Sequence, residues 1–271
     1  MSRGKLFSIK SRISSINSIF DLSKAMGLVS SSKFGSLQHS LENATNYGEE
    51  LEKIISKVAP SNEEKKNSIF IIVASDKGLC GSYNNNIVRF FREYWEKRKD
   101  KFSKSNSKFL VVGKKILPFL RKNFEITSTY SSLEETFQLC SKILKEILPS
   151  IDKDSEVFMV YTNYKTSKVD VKVESLIPTF KKNDEEFIFE PYQNEVFKRI
   201  FPMYLNFKIY RNILSALVSE HYSRMLAMRS ASDNAEDLMK NLKRFYNKER
   251  QSIITQEILE VVSGSENFDE I

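Results

Sequence analysis

The residues best placed to do chemistry stand together in the segment Ser75-Asp76-Lys77-Gly78-Leu79-Cys80-Gly81. A short apolar run precedes it and a helical pattern follows. An α/β nucleotide-binding protein puts its phosphate loop at such a place, because backbone N–H groups at a helix start attract anions. The two glycines permit close backbone approach, and a thiol at a helix start is more acidic than usual, which makes Cys80 a candidate nucleophile. The spacing argues against both chemistries. Neither G-x-G-x-x-G nor G-x-x-x-x-G-K-[ST] is present, no acidic residue is positioned to read a ribose, and no histidine neighbours Cys80. The segment therefore reads as a structural strand-to-helix turn, and Cys140, on an amphipathic helix, as a core residue.

Other chemistries fare no better. Cys80 and Cys140 are far apart, as are His39 and His221, and without a C-x-x-C or H-x-x-x-H pairing neither a metal site nor a disulfide scaffold is expected. A net charge of +7 allows an anionic partner, whether nucleic acid, lipid or an acidic protein surface. The run from Arg92 to Lys101 offers Tyr94 and Trp95 as stacking platforms, but three acids interrupt it, so a solvated helix face is the better reading. His221 and Arg224 lie nearly one turn apart and read as a polar interruption of a helix seam. The first ten residues are too charged for a signal peptide, and nothing approaches ~18 consecutive apolar residues, so the chain is expected to be soluble and intracellular, with any membrane association through partners.

The elements that hold these residues are punctuated by only 8 glycines and 6 prolines. From about Lys5 to Val58 apolar residues recur at helical spacing through Ile9, Ile13, Ile16, Phe20, Leu22, Met26 and Val29, then Leu37, Leu41, Leu51 and Ile55. This predicts one helix, ended by Pro60, of roughly 80 Å at ~1.5 Å per residue. Pro202 and Gly264 bracket a second long helix. Seven-residue rungs run through Leu214, His221, Met228, Ala235 and Leu242, and through Leu217, Arg224, Ala231, Leu238 and Phe245, giving a seam for a partner helix. Between the long helices, Ser68 to Ser75, Lys108 to Val112 and Glu156 to Tyr161 look like buried parallel strands, with a further strand at Val169 to Ile177. Helical segments at Asn85 to Lys99, Lys115 to Lys122 and Leu133 to Leu148 alternate with them, and a linker with the charged run Lys181 to Glu186 spans Pro178 to Pro202. The fold class expected is therefore α/β plus long α. An antiparallel coiled coil of N- and C-terminal helices (residues 1–60 and 202–271) carries an inserted Rossmann-like α/β domain (residues 61–201), because a lone helix of that length would leave its apolar stripe in water.

The last helix carries the clearest motifs: A-L-V-S-E-H-Y-S-R-M-L-A-M-R-S-A-S-D-N-A (Ala216 to Ala235), then Y-N-K-E-R-Q-S-I-I-T-Q-E-I-L-E-V-V-S-G (Tyr246 to Gly264). Together they closely resemble the C-terminal helix of the F-type ATP synthase gamma subunit. The resemblance extends to S-K-A-M-G-L-V-S-S-S-K (Ser23 to Lys33), S-D-K-G-L-C-G-S-Y-N (Ser75 to Asn84), I-F-E-P (Ile188 to Pro191) and Y-L-N-F-K-I-Y (Tyr204 to Tyr210), in the family's order and over almost the whole chain.

The resemblance implies a central rotor shaft, without catalysis or cofactor of its own, at the cytoplasmic face of the cell membrane. Its partners would be the alpha- and beta-type nucleotide-binding subunits of a catalytic hexamer, with an epsilon-type subunit and a membrane rotor ring at the foot, and no nucleic acid. Met26 and Arg224 match residues near the acidic lever loops of the catalytic subunits. Arg250, Gln251 and Thr255 match residues that meet a catch loop. Ile253, Ile254, Ile258, Val261 and Val262 suit an apolar bearing. Departures from the family's pattern are Ile19 and Phe20 for Thr-Gln, Asp21 for lysine, Ser82 for glycine, and Glu249 and Ile253 at usually small positions. These departures raise an alternative, a shaft in a specialised F-type-like ATPase coupled to a different assembly. The acidic tail Glu266 to Ile271 is expected to protrude beyond the helix.

Overall fold

A computed structural model of the chain describes residues 2–58, 67–98, 102–103, 106–151, 155–166, 168–178 and 192–266. Pro60, the run Lys181 to Glu186, the motif Ile188 to Pro191, the end of the basic run beyond Arg98 and the tail beyond Glu266 lie outside those residues.

Helix α1 (Ser2–Val58) is continuous for 57 residues. Its covered positions alternate steps of four and three: Ile9, Ile16, Ser23, Ser30, Leu37, Ala44 and Leu51 form one rung, and Ile13, Phe20, Gly27, Phe34, Leu41, Gly48 and Ile55 the other. A seven-residue period of this kind is that of a coiled-coil seam. Leu22 and Val29, expected on the stripe, are 60% and 58% exposed, and the small residues Ser23, Gly27 and Ser30 take the seam there instead. The apolar count alone misplaces the face where close helix approach selects small side chains.

The chain divides into two compact units, Met1–Val29 with Leu226–Ile271, and Ser30–Met225. In the first, the start of α1 runs antiparallel to the end of α5 (Gln193–Glu266): Lys5 Nζ reaches Glu249 Oε1 at 2.7 Å, and a Cβ on Gly27 would lie 3.6 Å from that of Met228. Met228, Ala235 and Leu242 form one rung as expected. The other rung is Ser232, Met239, Tyr246 and Ile253, one residue out of phase with expectation, and it leaves Leu238 53% and Phe245 43% exposed. Lys5 Nζ lies 5.4 Å from the Phe245 ring.

The second unit is built on a five-stranded sheet of order β3-β2-β1-β4-β5, with β1 (Asn67–Val73), β2 (Ser107–Val112), β3 (Ile126–Tyr130), β4 (Ser155–Lys165) and β5 (Lys168–Ser175). β1 pairs in parallel with β2 and β4, β2 in parallel with β3, and β5 antiparallel with β4. The strand side chains alternate between two cores, as the pleat requires. Ile69, Ile71 and Val73 face one core with Leu139, Ile143 and Ile147 of α4 (Thr136–Ile151), Leu51 and Ile55 of α1, and Leu205, Ile209 and Ile213 of α5. Phe70 and Ile72 face the other with Ile87, Phe91 and Trp95 of α2 (Tyr83–Glu96) and with Leu120 of α3 (Leu117–Leu120).

Three element boundaries differ from those the sequence predicts. Pro202 lies inside α5, which begins at Gln193, and Pro149 lies inside α4, which continues to Ile151. Each proline costs a backbone hydrogen bond, yet Phe201, Tyr204 and Leu205 around the first and Ile147 and Ile151 around the second are buried in the same core, and that burial outweighs the loss. Gly264 does not stop α5, which runs to Glu266.

Candidate functional site

The loop after β1 is fastened from several sides. Ser75 Oγ donates to the Lys77 carbonyl at 2.7 Å, Asn84 Nδ2 donates to Ser75 Oγ at 2.8 Å, and the Ser75 N–H donates to Asn84 Oδ1 at 3.3 Å. Asp76 ties the loop to the two neighbouring strand ends by accepting from Ser131 Oγ at 2.6 Å, Lys114 N–H at 2.8 Å, and Ser132 Oγ and Leu133 N–H at 3.2 Å. Burial pushes the Asp76 carboxyl up, but these hydrogen bonds together outweigh it and hold the group below the usual aspartate range. The crest of the loop is exposed at Lys77 and Leu79. Leu79 adopts φ 61 with 58% of its surface in solvent, a conformation in which a non-glycine side chain is strained.

Arg224 is buried at 6% exposure beneath this crest. Its Nη2 donates to Glu220 Oε1 at 2.6 Å, its Nε donates to the Gly78 carbonyl at 3.3 Å, and Nη2 makes a longer contact of 3.5 Å to the Lys77 carbonyl. Glu220 is equally enclosed, and burial raises its pKa even though Arg224 opposes the rise. Tyr83 adds a second tie: its hydroxyl donates to the Ala216 carbonyl at 3.2 Å and accepts from Thr162 Oγ1 at 3.1 Å. Sequence reasoning passed over Glu220, although its i, i+4 spacing to Arg224 is the usual mark of a helix ion pair.

The candidate nucleophile is not supported. Burial pushes the Cys80 thiol up, and Asn84 and Ser75 surround its sulfur, so it stays protonated. Cys140 is enclosed in the core and pushed up to about 12. Burial, with Arg224 and Lys33 adding to it, lowers His221 to about 4. Trp95 is buried against Phe70 at 5.7 Å and Phe109 at 5.4 Å, which removes it as a stacking platform for bases. Among the described residues no group of three or more His, Cys, Asp or Glu side chains is placed to hold a metal ion, and no helix is long and apolar enough to cross a membrane.

A further polar cluster, unforeseen from the sequence, fastens α1, β5 and α5 together. Glu174 Oε1 lies 3.2 Å from Lys208 Nζ and 3.1 Å from Arg211 Nη2, while its Oε2 accepts from Tyr161 at 2.9 Å and Asn212 at 3.0 Å. Arg211 also reaches Glu52 at 3.5 Å.

The end of α5 has a different character. Ile254, Ile258, Val261 and Val262 are spaced i, i+4, i+7 and i+8, so they share one face, and they are 45%, 58%, 73% and 49% exposed. Arg250, one turn before Ile254, is exposed, as are Gln251 and Thr255 on the adjoining row. Ile253 does not share the apolar face. It continues the seam of Tyr246 and Glu249 and is half-buried. Met26 is half-buried on α1.

The comparisons with known proteins converge. Residues 5–268 match the family described as ATP synthase. The ATP synthase gamma chain of Clostridium botulinum (strain Eklund 17B / Type B) is 35% identical over 98% of this chain and 99% of its own. The structure of the Tetrahymena thermophila mitochondrial ATP synthase central stalk and c-ring includes a chain 26% identical, with a TM-score of 0.63 over 78% of this chain and 99% of that one. A chain of the Euglena gracilis mitochondrial ATP synthase (OSCP/F1/c-ring) shares the fold at a TM-score of 0.75 and 16% identity, over 98% of this chain and 95% of that one. Two long helices before and after an α/β sheet in the chain and this near full-length likeness have one reading: the chain belongs to the ATP synthase family as a gamma chain, the central rotor shaft.

Proposed function

We propose that this chain performs no chemistry itself and couples the ATP chemistry of alpha- and beta-type subunits to rotation by mechanical contact. The end of α5 turns within their hexamer. An epsilon-type subunit and a membrane rotor ring meet the chain at its foot, on the cytoplasmic face of the membrane. An asymmetric shaft that meets each catalytic subunit differently biases each toward a different conformation, and turning it exchanges those states in sequence. In this reading Met26 in the first unit, and Arg224 with the loop above it in the second, each serve the contact with the acidic levers of the catalytic subunits, Arg250, Gln251 and Thr255 form the catch, and Ile254, Ile258, Val261 and Val262 form the bearing. Ile253 serves it from the seam side.

The observation that carries this reading is the exposed apolar face at the end of α5. A smooth aliphatic surface can slide past a partner because it has no hydrogen bonds to break at each step, whereas Arg250 at its start and the polar Gln251 and Thr255 on the adjoining row supply the points of engagement. The departures at the catch leave this division intact, since Glu249 is engaged within the chain by Lys5.

The test is a chain with Ile254, Ile258 and Val261 replaced by serine, reconstituted with its partner subunits. The isolated variant should keep its stability within about 0.5 kcal/mol, because these side chains are exposed, while hydrolysis-driven rotation loses torque. Unaltered torque would remove the bearing from the proposal.

A further inference from the structure

Arg224 is the residue of the contact face whose surroundings fit direct contact least. An arginine that engages an acidic partner needs its guanidinium at the surface, and this one is 7% exposed in its side chain, with an intramolecular carboxylate already at 2.6 Å. Its Nε and Nη2 also point at two successive backbone carbonyls, those of Gly78 and Lys77. The next residue is Leu79, the exposed side chain at positive φ. Each feature is ordinary alone. Together they place a rigid, permanently charged fork directly under the one strained crest of the loop.

We propose that Arg224 is a positioning residue: held in register by Glu220, it latches the Lys77–Leu79 crest onto α5, and its effect on coupling passes through the crest instead of through a contact of its own. This rests on the assignment of that face to the partner contact. The physical logic is one of pre-organisation. Left-handed backbone at Leu79 is disfavoured in a free loop, so the crest keeps its shape only where the surroundings over-determine it. Asp76 fixes one side of the loop to the ends of β2 and β3, and Ser75 with Asn84 fixes its start. The α5 side is held at Lys77 and Gly78 by Arg224, and further on by Tyr83, whose hydroxyl bonds the Ala216 carbonyl. Glu220 has a second role. It accepts from Arg224 and so restricts the guanidinium to the orientation in which Nε faces Gly78.

Glu220 also separates the two possible routes. If Arg224 acted by its own charge on an acidic partner, neutralising Glu220 would free that charge and strengthen the contact or leave it alone. If Arg224 acts as a latch, neutralising Glu220 loosens the fork and weakens coupling, as changing Arg224 does.

The experiment therefore uses Glu220→Gln and Arg224→Lys in the full chain, with Arg224→Ala as the severe variant. Amide hydrogen exchange at residues 77–81 is measured first, and the hydrolysis-driven torque of the reconstituted complex second. The expected result is exchange faster by about tenfold in Glu220→Gln and up to roughly a hundredfold in Arg224→Ala, because charge-assisted hydrogen bonds are lost. Arg224→Lys, which keeps the charge but has its donors on one nitrogen instead of a fork, should fall between, with exchange in β1 and β4 unchanged. Torque should fall in the same order. Unchanged exchange at 77–81 in Glu220→Gln and Arg224→Lys overturns the latch whatever the torque does. Raised or unaltered torque in Glu220→Gln overturns the route through the crest. Faster exchange with torque unaltered in all three variants overturns the assignment of this face to the partner contact.

Discussion

Gly48 and Gly27 stand on the same rung of α1, yet a methyl group added at each meets different surroundings. At Gly48 it would come within 2.5 Å of Phe207 Cε1, whose ring is itself held edge-on by Tyr47 at a centroid distance of 5.0 Å. At Gly27 it would meet Met228 at 3.6 Å, an ordinary contact. Gly48→Ala should therefore cost about 1–3 kcal/mol from overpacking, whereas Gly27→Ala should stabilise by up to about 1 kcal/mol because alanine suits a helix interior better than glycine. Denaturant titration of the two variants checks both signs at once. Glu174 gives a prediction of another kind. Burial pushes its carboxyl up, but Lys208, Arg211 and the Tyr161 hydroxyl outweigh this and leave it below the ordinary glutamate range. A depressed folded value means the contribution is complete above the unfolded pKa of about 4.3 and is lost as pH falls through the folded value. Glu174→Gln should lower Tm at neutral pH, and the gap between variant and parent should close as the pH falls below about 4. A gap that stayed constant into acid would show that the carboxylate charge contributes nothing.

At the scale of elements, the seam of α1 makes neighbouring residues differ sharply. Ile55 is 1% exposed and Ile54 50%. Ile55→Ala should cost about 2–5 kcal/mol through the cavity it leaves, and Ile54→Ala about 0.5 kcal/mol or less. The same contrast explains what could be read in advance. Both long helices were legible because their apolar periodicity and scarce prolines agree, and β1, β2 and β4 because runs such as S-I-F-I-I-V are buried on both faces. β3 was not, since Ile126-Thr127-Ser128-Thr129-Tyr130 is an edge strand of half-buried residues with little apolar signal. α3, expected over Lys115 to Lys122, is only 4 residues long. The prolines misled because local propensity yields to core burial around Phe201 and Ile151. Within the site, Arg224 was visible through the family motif, but its pairing with Glu220 and with the carbonyls of Lys77 and Gly78 depends on residues far apart in the chain, which no local pattern records.

For the whole molecule, stability should be graded along the chain. The sheet of the second unit lies between two buried cores, whereas the beginning of α1 and the last turns of α5 bury little of their own. In the free chain, amides of β1, β2 and β4 should exchange slowest and those near both termini fastest. Assembly with the partner subunits should slow exchange at residues 250–262 while leaving the strands unchanged. Protection at those residues in the free chain equal to that in the complex would contradict the partner contact proposed for them.

The placement of the two seam helices at opposite ends of the chain bears on how the protein is made. α1 leaves the ribosome with its apolar stripe complete, but its partner, beginning at Gln193, follows only after more than a hundred further residues. At ordinary rates of synthesis, about 5–20 residues per second, this wait is on the order of ten seconds. During that time Leu51 and Ile55 can meet only the β1 and α4 side of their core, and the nascent helix must stay soluble without its mate. Ser23, Gly27 and Ser30, which dilute the stripe at its middle, shorten the continuous greasy surface available to a neighbouring nascent chain. The residues that let two helices approach closely in the finished protein thus also leave less apolar surface on the first of them before the second is made.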